Sequence, residues 1–252
     1  MYYKGASCIV NSLNKKAISL SNLDIVLPIY NPLDNWDSDV IRQYKILLER
    51  LPENIQTHLI LVNDGSAFDL SEGWENINKV LPDAEWISYT ENRGKGYALR
   101  QGVKKCKGDF IMYTDYDFPY TYGSMVRMIE KMINSNVDAI LGTRDQSYYA
   151  HISGRRKWIS QNLKKVNRLL FRLPTDDTQC GLKAFNQKAK DIFMTTTTDR
   201  YLIDVEFLKK LVKNNASVDT QNVVLRDNVV LSKISNLRLI KEMFNYLKIM
   251  LS

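Results

Sequence analysis

No stretch of this sequence approaches the roughly 18 consecutive apolar residues that a membrane-spanning helix needs. The opening residues, MYYKGASCIV, lack a charged segment followed by a long apolar run, so no secretory leader is expected. Cysteine is scarce. Cys8, Cys106 and Cys180 are an odd number at no metal-ligand spacing, which argues against a disulfide framework and points to a reducing compartment. There is no internal repeat, low-complexity tract or clear linker, and 252 residues at 44% hydrophobic content suffice for one sizeable core. The expectation is a single domain over 1–252, with 1–22 as an N-terminal extension and 236–252 as a C-terminal amphipathic helix. What the chain has in excess is positive charge, a net +7, which fits nucleic acid, an acidic membrane surface or a phosphorylated substrate. No helix-turn-helix, zinc-finger or aromatic RNA-binding signature accompanies that charge, so no nucleic-acid partner is expected.

Short apolar runs alternate with amphipathic stretches. Residues 24–29, 58–62, 85–89, 109–114 and 137–142 read as buried strands bounded by turn formers or polar residues. Helical patterns fall near 38–50, 73–80, 95–106 and 122–134. This alternation predicts parallel strand–helix–strand units in a doubly wound sheet, where ligands bind at the carboxyl ends of the strands. The second half is less regular: a short element at 178–185, a helix near 204–213, a strand near 222–226 and a final helix over 236–250. Residues 155–172 carry seven basic residues and no acidic one, with Trp158, Ile159, Leu163, Val166, Leu169 and Leu170 at helical spacing.

The predicted strand ends carry polar residues of particular kinds. Tyr30-Asn31-Pro32 follows the first strand, Asn63-Asp64-Gly65-Ser66 the second, Glu91 to Gly96 the third and Asp115-Tyr116-Asp117 the fourth. On an extended segment, residues i and i+2 share a face, so Asp115 and Asp117 can address one ligand together. Two carboxylates suit Mg²⁺ or Mn²⁺, hard cations able to neutralise a departing diphosphate. Asp64 can accept a hydrogen bond from a nucleobase, or serve simply as the first residue of an Asp-Gly turn. Arg93 and Lys95 flank a glycine where a helix begins, a place that favours anions, although a helix start can also be basic without a ligand.

These pieces, in order, resemble glycosyltransferase family 2 with the GT-A fold. The likeness is to the branch of dolichyl-phosphate mannose and glucose synthases and bacterial polyprenyl-phosphate glycosyltransferases. The matching segments are IVLPIYNP (25–32), LVNDGS (61–66), ENRGKGYALRQGV (91–103), GDFIMYTDYD (108–117), DAILGTR (138–144), RRKWIS (155–160), DTQCGLKAF (177–185) and DVEFL (204–208). The resemblance implies an α/β fold: a doubly wound, mixed, mainly parallel sheet flanked by helices. It implies that Pro28, Tyr30 and Asp64 line the base and ribose pocket and that Arg93, Gly94 and Lys95 run along the nucleotide. Asp115 and Asp117 would bind Mg²⁺ or Mn²⁺ and the diphosphate, Asp117 more directly. Arg144, Arg156 and Ser160 would hold an acceptor phosphate, and Asp177 and Gln179 would sit near the donor sugar. Asp204 and Glu206 look like supports for that loop. Asn63 replaces the usual second aspartate, and Phe118-Pro119 follows where the mannose branch often has a metal-binding glutamine. The membrane helices that end some members are not expected here.

The implied activity is inverting transfer from a UDP- or GDP-sugar to a polyprenyl phosphate. A phosphate acceptor is already anionic and attacks without a general base, and guanidinium forks suit it. A second reading is transfer to a glycan hydroxyl, with Asp177 as the candidate base. A nucleotide-sugar pyrophosphorylase normally has a glycine-rich phosphate loop after its first strand, where this chain has Tyr30-Asn31-Pro32. A non-catalytic basic binding protein is the remaining alternative. The 155–172 run fits either an anionic membrane surface or a solvated helix with a core-facing stripe. The expected location is cytoplasmic, with peripheral contact at the cytoplasmic membrane face.

Overall fold

The computed structural model describes residues 20–144, 175, 177–227 and 246. Its centre is a seven-stranded sheet of β1 (Ser21–Ile29), β2 (Ile55–Asp64), β3 (Glu85–Tyr89), β4 (Phe110–Tyr113), β5 (Ala139–Arg144), β6 (Lys183–Asn186) and β7 (Val218–Val223). The strand order is β3-β2-β1-β4-β6-β5-β7. β6 runs antiparallel to both neighbours and every other pairing is parallel, so the sheet is mixed and mainly parallel, as expected.

The near-continuous apolar character of β1 and β2 follows from burial on both faces. Leu23, Ile25, Leu27, Ile29, Leu59 and Leu61 face one core, shared with α1 (Trp36–Leu48), α2 (Ser71–Val80) and α4 (Tyr122–Asn134). Val26, Ile60 and Val62 face the other, shared with α3 (Lys95–Lys105), α5 (Gln187–Met194) and α6 (Ile203–Lys213). The chain steps outward from β1 to β2 to β3 and then returns to β4 on the far side of β1. That reversal opens a crevice at the carboxyl ends of β1 and β4, where Tyr30 and Asp115 stand.

Two elements differ from the sequence reading. The strand expected near 222–226 is β7 at Val218–Val223, and Leu225 makes only an isolated bridge with Tyr120. The strand VDTQNV is polar and half-exposed, because it is a sheet edge paired on one side to β5, and the expected span lay instead on the apolar run Val223-Val224-Leu225 at its end. Helix α5 was not foreseen. Its eight residues are too few to display a period, but the Asn186 side chain accepts from the Ala189 N–H at 3.0 Å and starts the helix. Among the described residues no helix is long and apolar enough to cross a membrane. The 1–19 part of the N-terminal extension, the basic run at 155–172 and, apart from Tyr246, the final helix lie outside the described residues.

Candidate active site

The chain leaves β4 through a tight turn, with the Phe118 N–H donating to the Asp115 carbonyl at 3.0 Å. Phe118 adopts φ +46° while fully buried, a costly conformation for a bulky residue that is held by the core around its ring. Burial of this phenyl is what occupies the segment after Asp117, where a polar ligand could otherwise have stood. Arg226 stands beside this turn, its backbone N–H donating to the Pro119 carbonyl at 2.9 Å. Its guanidinium donates to the Asp117 carbonyl at 2.5 Å and to Gln43 Oε1 at 2.8 Å, and its buried Nε has no partner among the described residues. Nothing in the sequence pointed to Arg226, which lies more than 100 positions from the residue it supports.

Asp115 and Asp117 both follow the last residue of β4, but they stand in the turn that Phe118 closes and not on the extended segment expected. Asp117 lies at an exposed rim, yet the protein crowding its carboxyl, and then the charge of Asp115, push it up to about 6 against the pull of Arg226 and Lys95. Lys95 points its ammonium at Asp115, Nζ to Oδ1 2.5 Å. Burial opposes the lysine's charge, but Asp115 and then Asp204 outweigh it and hold the ammonium above the ordinary lysine range. Among the described residues no third His, Cys, Asp or Glu completes a metal cluster with these two. The pair still fits a hard divalent cation. Mg²⁺-type ions are usually held by one or two carboxylates, with substrate phosphates and water supplying the rest. Two like charges at one tip, one of them already driven toward its neutral form, are what a cation would relieve.

Asp64, the last residue of β2, is nearly enclosed at 3% exposure. Its carboxylate accepts from Tyr89 Oη (2.8 Å), Asn92 Nδ2 (2.8 Å) and the backbone N–H groups of Arg93 (2.9 Å) and Gly94 (2.8 Å). In this geometry Asp64 anchors the loop that leads to Lys95. Gly65, at φ +62°, permits the close pass of that loop: a Cβ there would stand 2.3 Å from the Glu91 carbonyl carbon. Asn63 is explained by its partners, since its Nδ2 donates to Ser88 Oγ at 3.1 Å and its Oδ1 accepts from the Ser66 N–H at 3.0 Å.

Of the two readings left open for the amino end of α3, the structure shows the helix start whose backbone donors are already taken. The N–H groups of Gly96 and Tyr97 both donate to the Asp199 carbonyl, at 2.7 and 3.1 Å. The Asp199 loop is itself fixed by Glu206, which accepts from the backbone N–H groups of Thr197 and Thr198. Lys95 therefore offers its side chain, while the backbone beside it is already satisfied. Arg93 is exposed, and its guanidinium stacks 3.9 Å from the centre of the Tyr97 ring.

Arg144 ends β5 and is bound as a fork to Asp177: Nε to Oδ2 is 2.8 Å and the terminal nitrogen to Oδ1 is 2.6 Å, with the Arg144 N–H also on Oδ2 at 2.8 Å. The loop beyond Asp177 returns to the aspartate pair. The Gly181 N–H donates to Tyr120 Oη at 3.0 Å, and Gly181 lies against Asp115 and Lys95. Tyr120, buried and within electrostatic reach of both Arg144 and Asp115, joins the two halves of the site; burial raises its phenol far above the ordinary range. Lys183 fixes the same loop from below, donating to the Cys180 carbonyl at 2.6 Å and pairing with buried Asp204, which also accepts from Tyr113 Oη at 2.7 Å. Tyr120, Lys183 and Arg226 were all missed by sequence reasoning. DTQCGLKAF contains Lys183, and only a buried lysine inside an apolar stretch hinted at it.

The remaining expected residues divide. Pro28 is half-buried near the end of β1, and Tyr30, just beyond it, is exposed. Gln179 is exposed in the turn after Asp177. Arg156 and Ser160 lie outside the described residues. Tyr246 is buried; a hydrogen bond with Thr178 pulls its phenol down, but burial wins and pushes it up to about 12.

The mixed, mainly parallel seven-stranded sheet flanked by helices, with its polar strand ends at the switch point, is the GT-A fold. The sequence profile described as glycosyl transferase family 2 matches residues 24–193, and the chain belongs to that family. It is 28% identical over 194 residues to a dolichyl-phosphate beta-glucosyltransferase of Trichomonas vaginalis, covering 74% of this chain and 60% of that protein. It is 23% identical over 217 residues to a dolichyl-phosphate beta-glucosyltransferase of Dictyostelium discoideum, covering 81% and 66%. The chain thus spans about 60 to 66% of the length of these relatives. A glucosyl-3-phosphoglycerate synthase from Mycobacterium tuberculosis, solved with Mn²⁺, UDP-glucose and phosphoglyceric acid, superposes with a TM-score of 0.64 at 12% identity, covering 92% of this chain and 79% of that one.

Proposed function

We propose that this chain transfers a sugar, with inversion, from a nucleoside-diphosphate sugar to a polyprenyl phosphate. A phosphate oxygen of the acceptor bonds to the anomeric carbon as the bond from that carbon to the diphosphate breaks, and the nucleoside diphosphate leaves. The observation that carries this reading is the Asp115–Asp117 pair at the tip of β4, with Lys95 beside it. Asp115 and Asp117 would hold Mg²⁺ or Mn²⁺, which when bound offsets the charge gathering on the leaving diphosphate. Lys95 adds a fixed positive charge in a largely enclosed place, where electrostatic stabilisation counts most. Pro28, Tyr30 and the Asp64-anchored loop with Arg93 line the donor side.

The state of Asp177 favours a phosphate acceptor over a glycan hydroxyl. Its carboxylate receives three bonds from Arg144, which makes it a poor general base and a good holder of an arginine fork. Arg144, with Arg156 and Ser160, then grips the acceptor phosphate and brings it in line, so catalysis rests on positioning. The names of the Trichomonas and Dictyostelium relatives agree with a lipid-phosphate acceptor, and the UDP-glucose and Mn²⁺ of the mycobacterial neighbour agree with a metal-assisted nucleotide-sugar donor. A lipid acceptor also implies work at the cytoplasmic face of a membrane, with the basic 155–172 run as the contact.

The test is incubation with UDP- and GDP-linked sugars, Mn²⁺ and a short polyprenyl phosphate, followed by mass spectrometry. A hexosyl-phosphoprenol that disappears with chelator and in Arg156→Ala is expected. Hexose appearing only on glycan hydroxyls would replace this reading with the second one.

A further inference from the structure

We propose that Lys95 is a resident counter-cation of Asp115 that must be released before a divalent ion can settle there, so that ion and diphosphate enter the site together. This rests on the transferase reading above. Three observations carry it. The Lys95 ammonium is only 2.5 Å from Asp115 Oδ1, and the lysine side chain is largely enclosed at 14% exposure. Lys95 is also tied in place: the loop before it hangs on Asp64, and the first turn of its helix hangs on the Asp199 carbonyl. Finally, Gly181 closes one side of the pair, since a Cβ there would stand 3.0 Å from Asp115 Oδ2 and 3.3 Å from Lys95 Nζ.

A cation approaching the carboxylates meets an ammonium already seated on one of them. Binding by the ion alone breaks this partly buried pair and takes from the ammonium its nearest counter-charge in an enclosed place. A diphosphate changes the balance because it gives the displaced ammonium a new anion. The ion and the diphosphate then bind far better together than apart, and the coupling is reciprocal: each raises the affinity of the other by the same factor. Asp117, which Lys95 does not touch directly, is the carboxylate open to first contact with the ion. The arrangement also keeps the aspartate pair partly neutralised while no donor is present.

The experiment measures Mn²⁺ binding from the free-ion electron paramagnetic resonance signal, with and without UDP and, in parallel, GDP. Wild type, Lys95→Met, Lys95→Gln and Lys104→Met are compared, with circular dichroism confirming that each is folded. Two Lys95 variants are used so that misfolding of one leaves the other to decide. Without nucleotide, both Lys95 variants are expected to bind Mn²⁺ about tenfold more tightly than wild type, a modest fraction of what one removed charge at this distance supplies. Their nucleotide-to-metal coupling shrinks by a similar factor. Lys104→Met, which removes an exposed cation near the other end of the same helix, shifts diphosphate-free Mn²⁺ affinity by less than about twofold. Unchanged or weaker Mn²⁺ binding by the Lys95 variants overturns the proposal, as does an equal gain in Lys104→Met. Failure of wild type to take up Mn²⁺ even with nucleotide overturns the transferase reading and this inference with it.

Discussion

Asp117 is the residue on which the proposed chemistry places most. Its carboxyl is pushed up to about 6 by crowding and by Asp115. A carboxyl raised in the folded state is held there at a disadvantage once ionised. The penalty is absent below the unfolded value and grows as pH rises through about 6. Asp117→Asn removes it. Calorimetry should therefore show this variant melting above wild type at pH 8 and converging with it below pH 4, while metal-dependent turnover is lost. A lower melting temperature at pH 8 would contradict the picture of a site strained for function. Gly181 supplies a second test. Its neighbours toward Asp115 and Lys95 are the tips of flexible side chains, and its backbone angle is open to alanine. Gly181→Ala should leave the melting temperature within about 2 °C yet cut turnover at least about tenfold, since positioning errors are costly in catalysis. The aspartate pair was legible from a two-residue spacing after an apolar run. Arg226 was not, because a guanidinium that meets a carbonyl more than 100 residues away leaves no local pattern.

At the level of elements, the loop from Asp177 to Lys183 is held by buried charge. Lys183, its neighbour Asp204 on α6 and Tyr113 on β4 form a closed set. Lys183→Met strands Asp204 and should cost roughly 3 kcal/mol in urea unfolding. Adding Asp204→Asn should return at least about 1 kcal/mol of that, as expected when two residues share one interaction. Simple additivity of the two losses would show that the pair is not coupled. The strands that the sequence disclosed most clearly, β1 and β2, are those buried on both faces, because double burial writes an unbroken apolar run. β7 was placed several residues late for the opposite reason. It is an edge strand, and its residues are written in polar letters. The start of α3 was recognised, but the sequence left open whether its amino end takes an anion, because the carbonyl that closes it arrives from Asp199, about 100 residues later.

The whole molecule is a doubly wound sheet whose two halves meet at β4 and β6. Asp138 fastens the second half. Its carboxylate accepts from Lys188 Nζ (2.7 Å), the Ser217 N–H (2.8 Å) and Asn186 Nδ2 (3.2 Å), joining β5, α5 and the approach to β7. Burial opposes ionisation, but these donors outweigh it and lower the carboxyl to about 2. A lowered carboxyl gives stability that is present above the unfolded value and lost as pH falls through about 2, worth roughly 2 kcal/mol here. Asp138→Asn should flatten the acid limb of the stability curve between about pH 4 and pH 2, followed by chemical denaturation. A limb as steep as that of wild type would remove Asp138 from this role. The strand–helix alternation and the rim of polar strand ends made this architecture readable from sequence. The ties between its halves, made by buried side chains, were not.

The central claim is that Asp115 and Asp117 hold a cation against the diphosphate of a nucleotide sugar. Its most direct test is a crystal of the chain grown with Mn²⁺ and UDP or GDP, with the manganese located from its anomalous scattering. The account predicts manganese in direct contact with Asp117 and bridging to the diphosphate, with the Lys95 ammonium turned toward a phosphate oxygen. Manganese and nucleotide bound away from the tip of β4 would contradict it.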